Sequence, residues 1–135
     1  MTNLADAMEV LFRQIHPKFI EDGLPTSQPF RPTRKDNGRL SVDRSALTSA
    51  SDSFALFIAT GSTSTAVYGL TVGECGAEKL PCSADPIESS STAAANAAHA
   101  FVDFNDHSDG QWKNISKRLK RKAIERGQLH PSPSP

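Results

Sequence analysis

The sequence predicts an α+β protein in which two helices, at about residues 49–60 and 109–126, pack on a small, mostly antiparallel sheet. Two observations predict this class. Short segments rich in β-branched or aromatic residues alternate with two segments whose apolar residues recur at helical spacing. The chain has 135 residues, of which 37% are apolar, so it is long enough for one domain with a thin core. We expect residues 1–130 to form that domain and residues 131–135, PSPSP, to be a disordered tail.

The N-terminal segment fits two patterns. A helical stripe would include Leu4, Met8, Leu11, Ile15 and Phe19. Alternation over residues 10–15, VLFRQI, instead fits a short strand with apolar side chains on both faces. Because Pro17 ends either element, we predict a helical turn at residues 3–8 and a strand at residues 10–15.

A long loop is predicted at residues 21–39, which contain three prolines and two glycines. Loops of this length in small domains are either functional or mobile. A short strand, LSV, follows at residues 40–42.

The first helix is predicted at residues 49–60. Thr48 or Ser49 is the candidate N-cap, and Gly61 can end the helix in left-handed geometry. The predicted buried stripe consists of Ala50, Phe54, Phe57 and Ile58.

Two further strands are predicted, at residues 65–74, TAVYGLTVGE, and at residues 100–104, AFVDF. Residues 83–98 between them are of low complexity, rich in serine and alanine. We expect a surface excursion there, with at most one weak helical turn in the alanine run.

The terminal helix has the clearest signals. Ser108 and Gln111 have the spacing of a capping box, and Gly127 can stop the helix. Its predicted apolar stripe consists of Trp112, Ile115, Leu119 and Ala123.

Charge is balanced overall but segregated along the chain. Lys+Arg and Asp+Glu each number 15. Residues 45–112 contain one base, Lys79, and eight acids, whereas residues 113–135 contain seven bases and one acid, Glu125. This asymmetry predicts a basic terminal helix that folds over an acidic body or faces an acidic partner.

Several classes of protein are disfavoured. No apolar run is long enough to span a bilayer, and the N-terminus lacks the bases and the apolar stretch of a signal peptide. We therefore expect a cytoplasmic protein with no membrane contact, in which Cys75 and Cys82 are free thiols. Their spacing does not suit zinc, and we expect no metal site.

Residues 26–44, TSQPFRPTRKDNGRLSVDR, suggest an anion-binding loop for phosphate or a nucleotide. Pro29 and Pro32 fix backbone angles on either side of Arg31, which lowers the entropy cost of presenting a guanidinium to an anion. The candidate ligand-binding residues are Arg13, Phe30, Arg31, Lys35 and Ser41. The alternative is a solvated charged loop in which Lys35 and Asp36 merely pair at the surface.

Three residues are candidates for acid–base chemistry. His16 ends the first predicted strand, His99 precedes the last, and Asp103 alternates onto a face with Phe101. If the two strands are neighbours, the histidines share one rim of the sheet with Arg13 and Asp103, and a histidine beside a carboxylate can act as a general acid or base. The alternative is that each histidine has a structural role.

Much of the chain, residues 10–129, resembles a family of small uncharacterised bacterial proteins. The resemblance rests on LFRQIHPKFIEDGLPTSQPFRPTRKDNGRLSVDR, VYGLTVGEC, AHAFVDF and a basic terminal helix ending in RG. It implies a bacterial, soluble, single-domain protein and no particular activity.

The order of some motifs is also similar to that in RES-domain toxins, relatives of ADP-ribosyltransferases. Arg13, the Phe30-Arg31 pair, Gly38, Ser41 and the helix at 49–60 follow that order. The resemblance implies that an arginine and a hydroxyl hold the phosphate and ribose of NAD. The chain departs from the pattern because the predicted helix lacks an acidic residue near its end.

The sequence thus favours a binding or accessory protein that takes a small anionic ligand or a protein partner and needs no cofactor. One alternative is an NAD-consuming or ADP-ribose-transferring enzyme. A second is nucleic-acid binding through Lys113, Lys117, Lys120 and Arg121 of the terminal helix. A basic face that packs against the acidic middle of the chain also explains those residues.

Overall fold

A six-stranded antiparallel sheet lies at the centre of a computed structural model that describes residues 2–90 and 94–132. The strands in chain order are β1 (Thr2–Asn3), β2 (Val10–Ile15), β3 (Ile20–Glu21), β4 (Leu24–Pro25), β5 (Arg39–Arg44), β6 (Ala66–Thr71), β7 (Cys82–Ala84) and β8 (His99–Asp103). The sheet has the order β1-β7-β8-β5-β2-β6, and β3 and β4 form a separate hairpin. With the helices described next, this architecture confirms the predicted α+β class.

In the described residues the strands are accompanied by three α-helices, α1 (Ala50–Ala59), α2 (Val72–Ala77) and α3 (Asp109–Arg126). Ser49 caps α1 by accepting from the backbone of Asp52, and Ser108 and Gln111 form the predicted capping box of α3. The bounds of α1 and α3 agree closely with the predicted ones.

Helix α2 was not predicted, because its residues were assigned to the end of a strand. Thr71 ends β6 and also starts α2: its hydroxyl accepts from the Glu74 N–H at 3.0 Å, and the Glu74 carboxylate accepts from the Thr71 N–H at 2.9 Å. This capping box turns the chain away from the sheet, so the predicted strand at 65–74 ends early.

The N-terminus pairs with the sheet edge, and the predicted helical turn at residues 3–8 is wrong. Thr2 and Asn3 form the register Thr2↔Ala84 and Asn3↔Ser83 with β7. Leu4 extends this pairing by donating to the carbonyl of Cys82 at 2.9 Å. The sheet edge satisfies these backbone groups, which a lone helical turn leaves unpaired.

Helix α3 covers one face of the sheet. Ile115, Leu119 and Ala123 are buried in the core as predicted, and Trp112 is half-buried and donates its indole N–H to the carbonyl of Phe104 at 2.9 Å. Ion pairs also join α3 to α2 and to the residue that follows it, from Arg126 to Glu74 and from Arg118 to Glu78. The predicted contact of the basic helix with the acidic middle is thus present at these two pairs.

Helix α1 lies against the opposite face of the sheet, and its predicted buried stripe is wrong. Only Ser53 of this helix is buried, Phe54 and Phe57 are half-buried, and Ile58 is 41% exposed. The sheet residues that face α1 include Gln14 and Asp43, so a serine meets polar groups there.

The predicted loop at residues 21–39 contains several short regular elements. It contains the β3–β4 hairpin and the 3-10 turns Gln28–Phe30 and Arg34–Asp36. Phe30 is completely buried and anchors this segment in the core beneath α3. The anchor fixes the position of Arg31, the next residue.

The serine- and alanine-rich segment is only partly described. It begins as β7, and a bridge joins Ile87 to Asn96. Ala93 of the alanine run and residues 133–135 of the predicted tail lie outside the described residues, and the predicted domain boundary stays a prediction. None of the helices in the described part of the chain has the length and apolar character needed to cross a bilayer.

Candidate functional site

The central sheet splits between β2 and β5. All six residues of β2 pair with β6, from Val10↔Thr71 to Ile15↔Ala66. In contrast, β2 pairs with β5 only at Leu11↔Arg44 and Phe12↔Asp43. The pairing of β2 with β5 ends at Phe12. This leaves an opening between the two strands, which is lined by Arg13, Gln14 and Ser41.

Arg13 crosses this opening. Its Nη1 donates to the backbone carbonyl of Ser41 at 3.1 Å, and its Nε donates to the carbonyl of Pro29 at 2.6 Å. No carboxylate among the described residues lies within 4.0 Å of the guanidinium. Burial lowers the pKa of Arg13 to about 10 despite the opposing charge of Asp36, so the group is still a cation at neutral pH. The opening therefore contains a half-buried positive charge that has no ion-pair partner among the described residues.

Two cavities meet at this arginine. The smaller, about 440 Å³, lies beside the turn around Pro29 and Pro32, and the larger, about 800 Å³, lies between α1 and the sheet. Four residues line both cavities: Arg13, Gln14, Phe57 and Ser62. The two cavities are therefore adjacent; we call them the small lobe and the large lobe, and the pair of them the cleft.

The small lobe contains a second arginine. Arg31 donates from Nη1 to the hydroxyls of Ser27 at 3.2 Å and Ser116 at 3.1 Å, and it has no carboxylate partner within the described ranges. Asp36 also lines this lobe and accepts from the backbone and hydroxyl of Thr33. Two arginines and one aspartate leave the small lobe with a net positive charge.

The Asp36 carboxyl stays ionised in this environment. Burial by itself raises its pKa, but the hydrogen bonds from Thr33 and the charges of Arg13 and Lys35 outweigh that effect, and the pKa lies below its ordinary value.

The large lobe has a polar floor built on a chain of hydrogen bonds. Gln14 Nε2 donates to Ser53 Oγ at 3.0 Å, and Ser53 Oγ donates to Asp43 Oδ2 at 2.6 Å. Asn96 Nδ2 donates to the other oxygen of Asp43 at 2.9 Å. Because a carboxylate can only accept hydrogen bonds, Asp43 fixes the direction of every bond in this chain. Each oxygen of Asp43 therefore keeps acceptor capacity on the lobe wall.

His99 is the cross-strand partner of Asp43 and lines the same lobe. Its Nδ1 lies 2.9 Å from the carbonyl of Asp85 and 3.3 Å from Asp85 Oδ2. Two acceptors at one ring nitrogen place the proton on Nδ1 in the neutral imidazole. The lone pair of Nε2 is then free, and no described residue hydrogen-bonds to it.

No family model, curated protein or solved structure matches the chain.

The predicted site residues fall into three groups. Arg13, His16 and Arg31 line the small lobe, and Arg13, Ser41 and His99 line the large lobe. The others line neither: they are Phe30, Lys35 and Asp103. The prediction of ligand contact by Phe30 is wrong, because this residue is completely buried in the core.

The two histidines do not share a rim, because the strands that carry them are not neighbours: β5 lies between β2 and β8. His16 instead accepts from the Lys18 backbone at 3.0 Å and caps the 3-10 turn Pro17–Phe19. Asp103 accepts from the backbone of Asn105 at 2.8 Å, not from an arginine. The ion pair of Lys35 with Asp36 that belongs to the alternative of a solvated loop is not present in the described chain.

Sequence reasoning missed Gln14, Asp43, Ser53, Asp85 and Asn96. Alternation along β5 placed Asp43 on the same face as Ser41, which was a usable signal. No comparable signal marked Asn96, because it lies in a low-complexity segment. Within residues 2–90 and 94–132, no three His, Cys, Asp or Glu side chains are grouped as a metal site requires.

Proposed function

We propose that the protein binds a small anionic ligand, with a phosphate or carboxylate group in the small lobe between Arg13 and Arg31. The observation that carries the proposal is the half-buried guanidinium of Arg13, which lines both lobes without a carboxylate partner among the described residues. A cation that has lost part of its hydration and has no counterion gains more from an anion than a fully solvated one does.

Preorganisation supports the same proposal. Pro29 and Pro32 are buried, and the Arg31 guanidinium is held in place because its Nη1 donates to two serine hydroxyls. The side-chain entropy of this arginine is therefore largely lost before a ligand arrives. Its remaining N–H groups are donors for the planar oxygens of a carboxylate or phosphate.

The test is calorimetric titration of the intact protein with inorganic phosphate, pyrophosphate and citrate at about 0.15 M salt. We expect at least one anion to bind, and we expect Arg31→Met to weaken that binding about tenfold, which is the loss of one charge-assisted hydrogen bond. Arg31→Lys keeps the positive charge but loses the planar guanidinium, so its affinity for the anion should lie between those of the wild-type protein and Arg31→Met.

Arg34→Met is the matched control. Arg34 belongs to the same segment and is exposed, but it pairs with Asp109 and lines neither lobe. Its removal should leave anion affinity unchanged. Absence of binding by the wild-type protein up to about 10 mM of each anion contradicts the proposal, as does an equal loss in the Arg31 and Arg34 variants.

Nucleic-acid binding is a second candidate, favoured by one feature of α3. Lys113, Lys117 and Arg121 are exposed at helical spacing and have no carboxylate partner among the described residues. Such a row can follow a phosphate backbone. Binding to a duplex of about 20 base pairs that weakens steeply as salt rises supports this candidate, and absence of binding at low salt removes it. Enzymatic use of NAD stays a prediction from the resemblance.

A further inference from the structure

The large lobe differs chemically from the small one. The small lobe presents N–H donors from Arg13 and Arg31, whereas the wall of the large lobe at β5 and β8 presents acceptors. Asp43 accepts one hydrogen bond at each oxygen, and a carboxylate can accept about four in all. The free Nε2 of His99 adds another acceptor. A ligand that spans both lobes therefore needs an anionic group at one end and O–H donors at the other.

The spacing of these acceptors suits two neighbouring hydroxyls. Asp43 and His99 face each other directly in the antiparallel register of β5 and β8. Direct cross-strand partners have Cβ atoms about 4.5–5.5 Å apart and project to the same face. Their acceptor atoms can then receive one hydrogen bond from each hydroxyl of a vicinal diol.

The spacing along β5 of the residues near the two lobes is comparable to the size of a monosaccharide. Arg13 binds the carbonyl of Ser41, and Asp43 lies two residues further along β5. Two residues of a strand span about 6.5–7 Å, roughly the length of a sugar ring. Phe12, Phe57 and Ile87 also line the large lobe and provide apolar surface for the faces of such a ring.

We infer that the ligand is a sugar phosphate, whose phosphate binds between Arg13 and Arg31 and whose vicinal diol donates to Asp43 and His99. This inference rests on the proposed function and names the class of ligand for the same cleft. A hydroxyl suits the wall better than an ammonium does, because Asp43 already receives donors from Ser53 and Asn96 and keeps only part of its acceptor capacity.

The test compares ribose 5-phosphate, 2-deoxyribose 5-phosphate and inorganic phosphate by calorimetric titration of the intact protein. Ribose 5-phosphate should bind at least about tenfold more tightly than the deoxy analogue, because the analogue lacks one hydroxyl donor to a half-buried acceptor. His99→Gln should remove most of that difference. His107→Gln is the matched control, because His107 is also half-buried and lines neither lobe.

The outcomes separate the two proposals. Equal affinity for ribose 5-phosphate and its deoxy analogue, with phosphate competing against both, overturns the diol inference and leaves the anion site standing. Tighter binding of phosphoethanolamine than of ribose 5-phosphate also overturns it, because the wall then selects an ammonium. If none of the ligands binds, the proposed function fails together with the inference.

Discussion

Arg13 and Ser41 are joined across the split in the sheet by a hydrogen bond of 3.1 Å from Nη1 to the backbone carbonyl. In a regular antiparallel sheet, that carbonyl would face the neighbouring strand or the solvent. A guanidinium here occupies the space that a continued β2–β5 ladder would fill. The same group is therefore part of the fold and the central feature of the cleft.

Replacement of Arg13 should destabilise the protein. Arg13→Met keeps the apolar stem but leaves the carbonyls of Pro29 and Ser41 without this donor. We expect the free energy of unfolding to fall by about 2–4 kcal/mol, because hydrogen bonds to charged groups contribute about 1.5–3 kcal/mol each. Urea denaturation measures the change.

The control for this loss is Arg34→Met, which removes an ion pair between side chains that are 90% and 58% exposed. Exposed pairs contribute about 0–1 kcal/mol, so its effect should be small. Equal losses in the two variants would mean that Arg13 contributes no more than a surface arginine.

Breaking the buried ion pair of Glu9 and Arg44 should lower the free energy of unfolding more than breaking an exposed ion pair does. The Glu9 side chain is only 5% exposed and accepts from Arg44 and from the backbone of Ala46. Glu9→Gln leaves the Arg44 cation without its counterion, and we expect a loss of about 3–5 kcal/mol in urea denaturation. Glu78→Gln, which breaks the more exposed pair with Arg118, should cost about 1 kcal/mol or less. A larger loss from Glu78→Gln would contradict this reasoning.

Lowering the pH should remove the contribution of Glu74 to the stability of the fold. Burial by itself raises the pKa of this carboxyl, but hydrogen bonds from Arg126 and Thr71 outweigh it and hold the pKa below its ordinary value. A lowered folded pKa stabilises the fold above the unfolded pKa of about 4.3, and that stabilisation is lost as pH falls through the folded value.

The stability difference between wild type and Glu74→Gln should therefore be largest at neutral pH and shrink below about pH 4. Thermal unfolding across this pH range measures it. Glu125→Gln, at an exposed residue of α3 with no ion pair in the described chain, should show no such trend. A difference that stays constant down to low pH would contradict the role of the Glu74 hydrogen bonds.

Gly38 controls the entry of the chain into β5. Its φ is +72°, and an added Cβ would overlap the side-chain amide of Asn105. Gly38→Ala should lower the free energy of unfolding by about 1–3 kcal/mol, from backbone strain and displacement of Asn105. Gly110→Ala, where nothing lies within 4 Å of the added Cβ, should be neutral or slightly stabilising because it lies in α3. A neutral Gly38→Ala would show that Asn105 moves at no cost.

The sequence predicted the elements that depend on local pattern. Strand β2 and helix α3 follow from alternation, helical spacing and a capping box, all of which act within a few residues. Helix α2 was missed because its capping box lies inside a segment rich in strand-forming residues. The split between β2 and β5 could not be predicted, since it depends on how residues far apart in the chain pair.

The candidate site was predicted only in part, because some of its contacts join residues that are far apart in the chain. Proline rigidity pointed to Arg31, and the motif order pointed to Arg13 and Ser41. Alternation could not show that Asp43 would meet Ser53 and Asn96, because those contacts cross from the sheet to α1 and to a low-complexity segment. Phe30 looked like a ligand contact only because its burial depends on the position of α3.

The most direct test of the anion site is an NMR titration of the arginine Nε–H resonances with inorganic phosphate. We expect the Nε–H signals of Arg13 and Arg31 to shift together along one saturating curve, while that of Arg34 stays in place. Saturable shifts confined to Arg34 and the lysines of α3, with Arg13 and Arg31 unmoved, would contradict the proposed anion site.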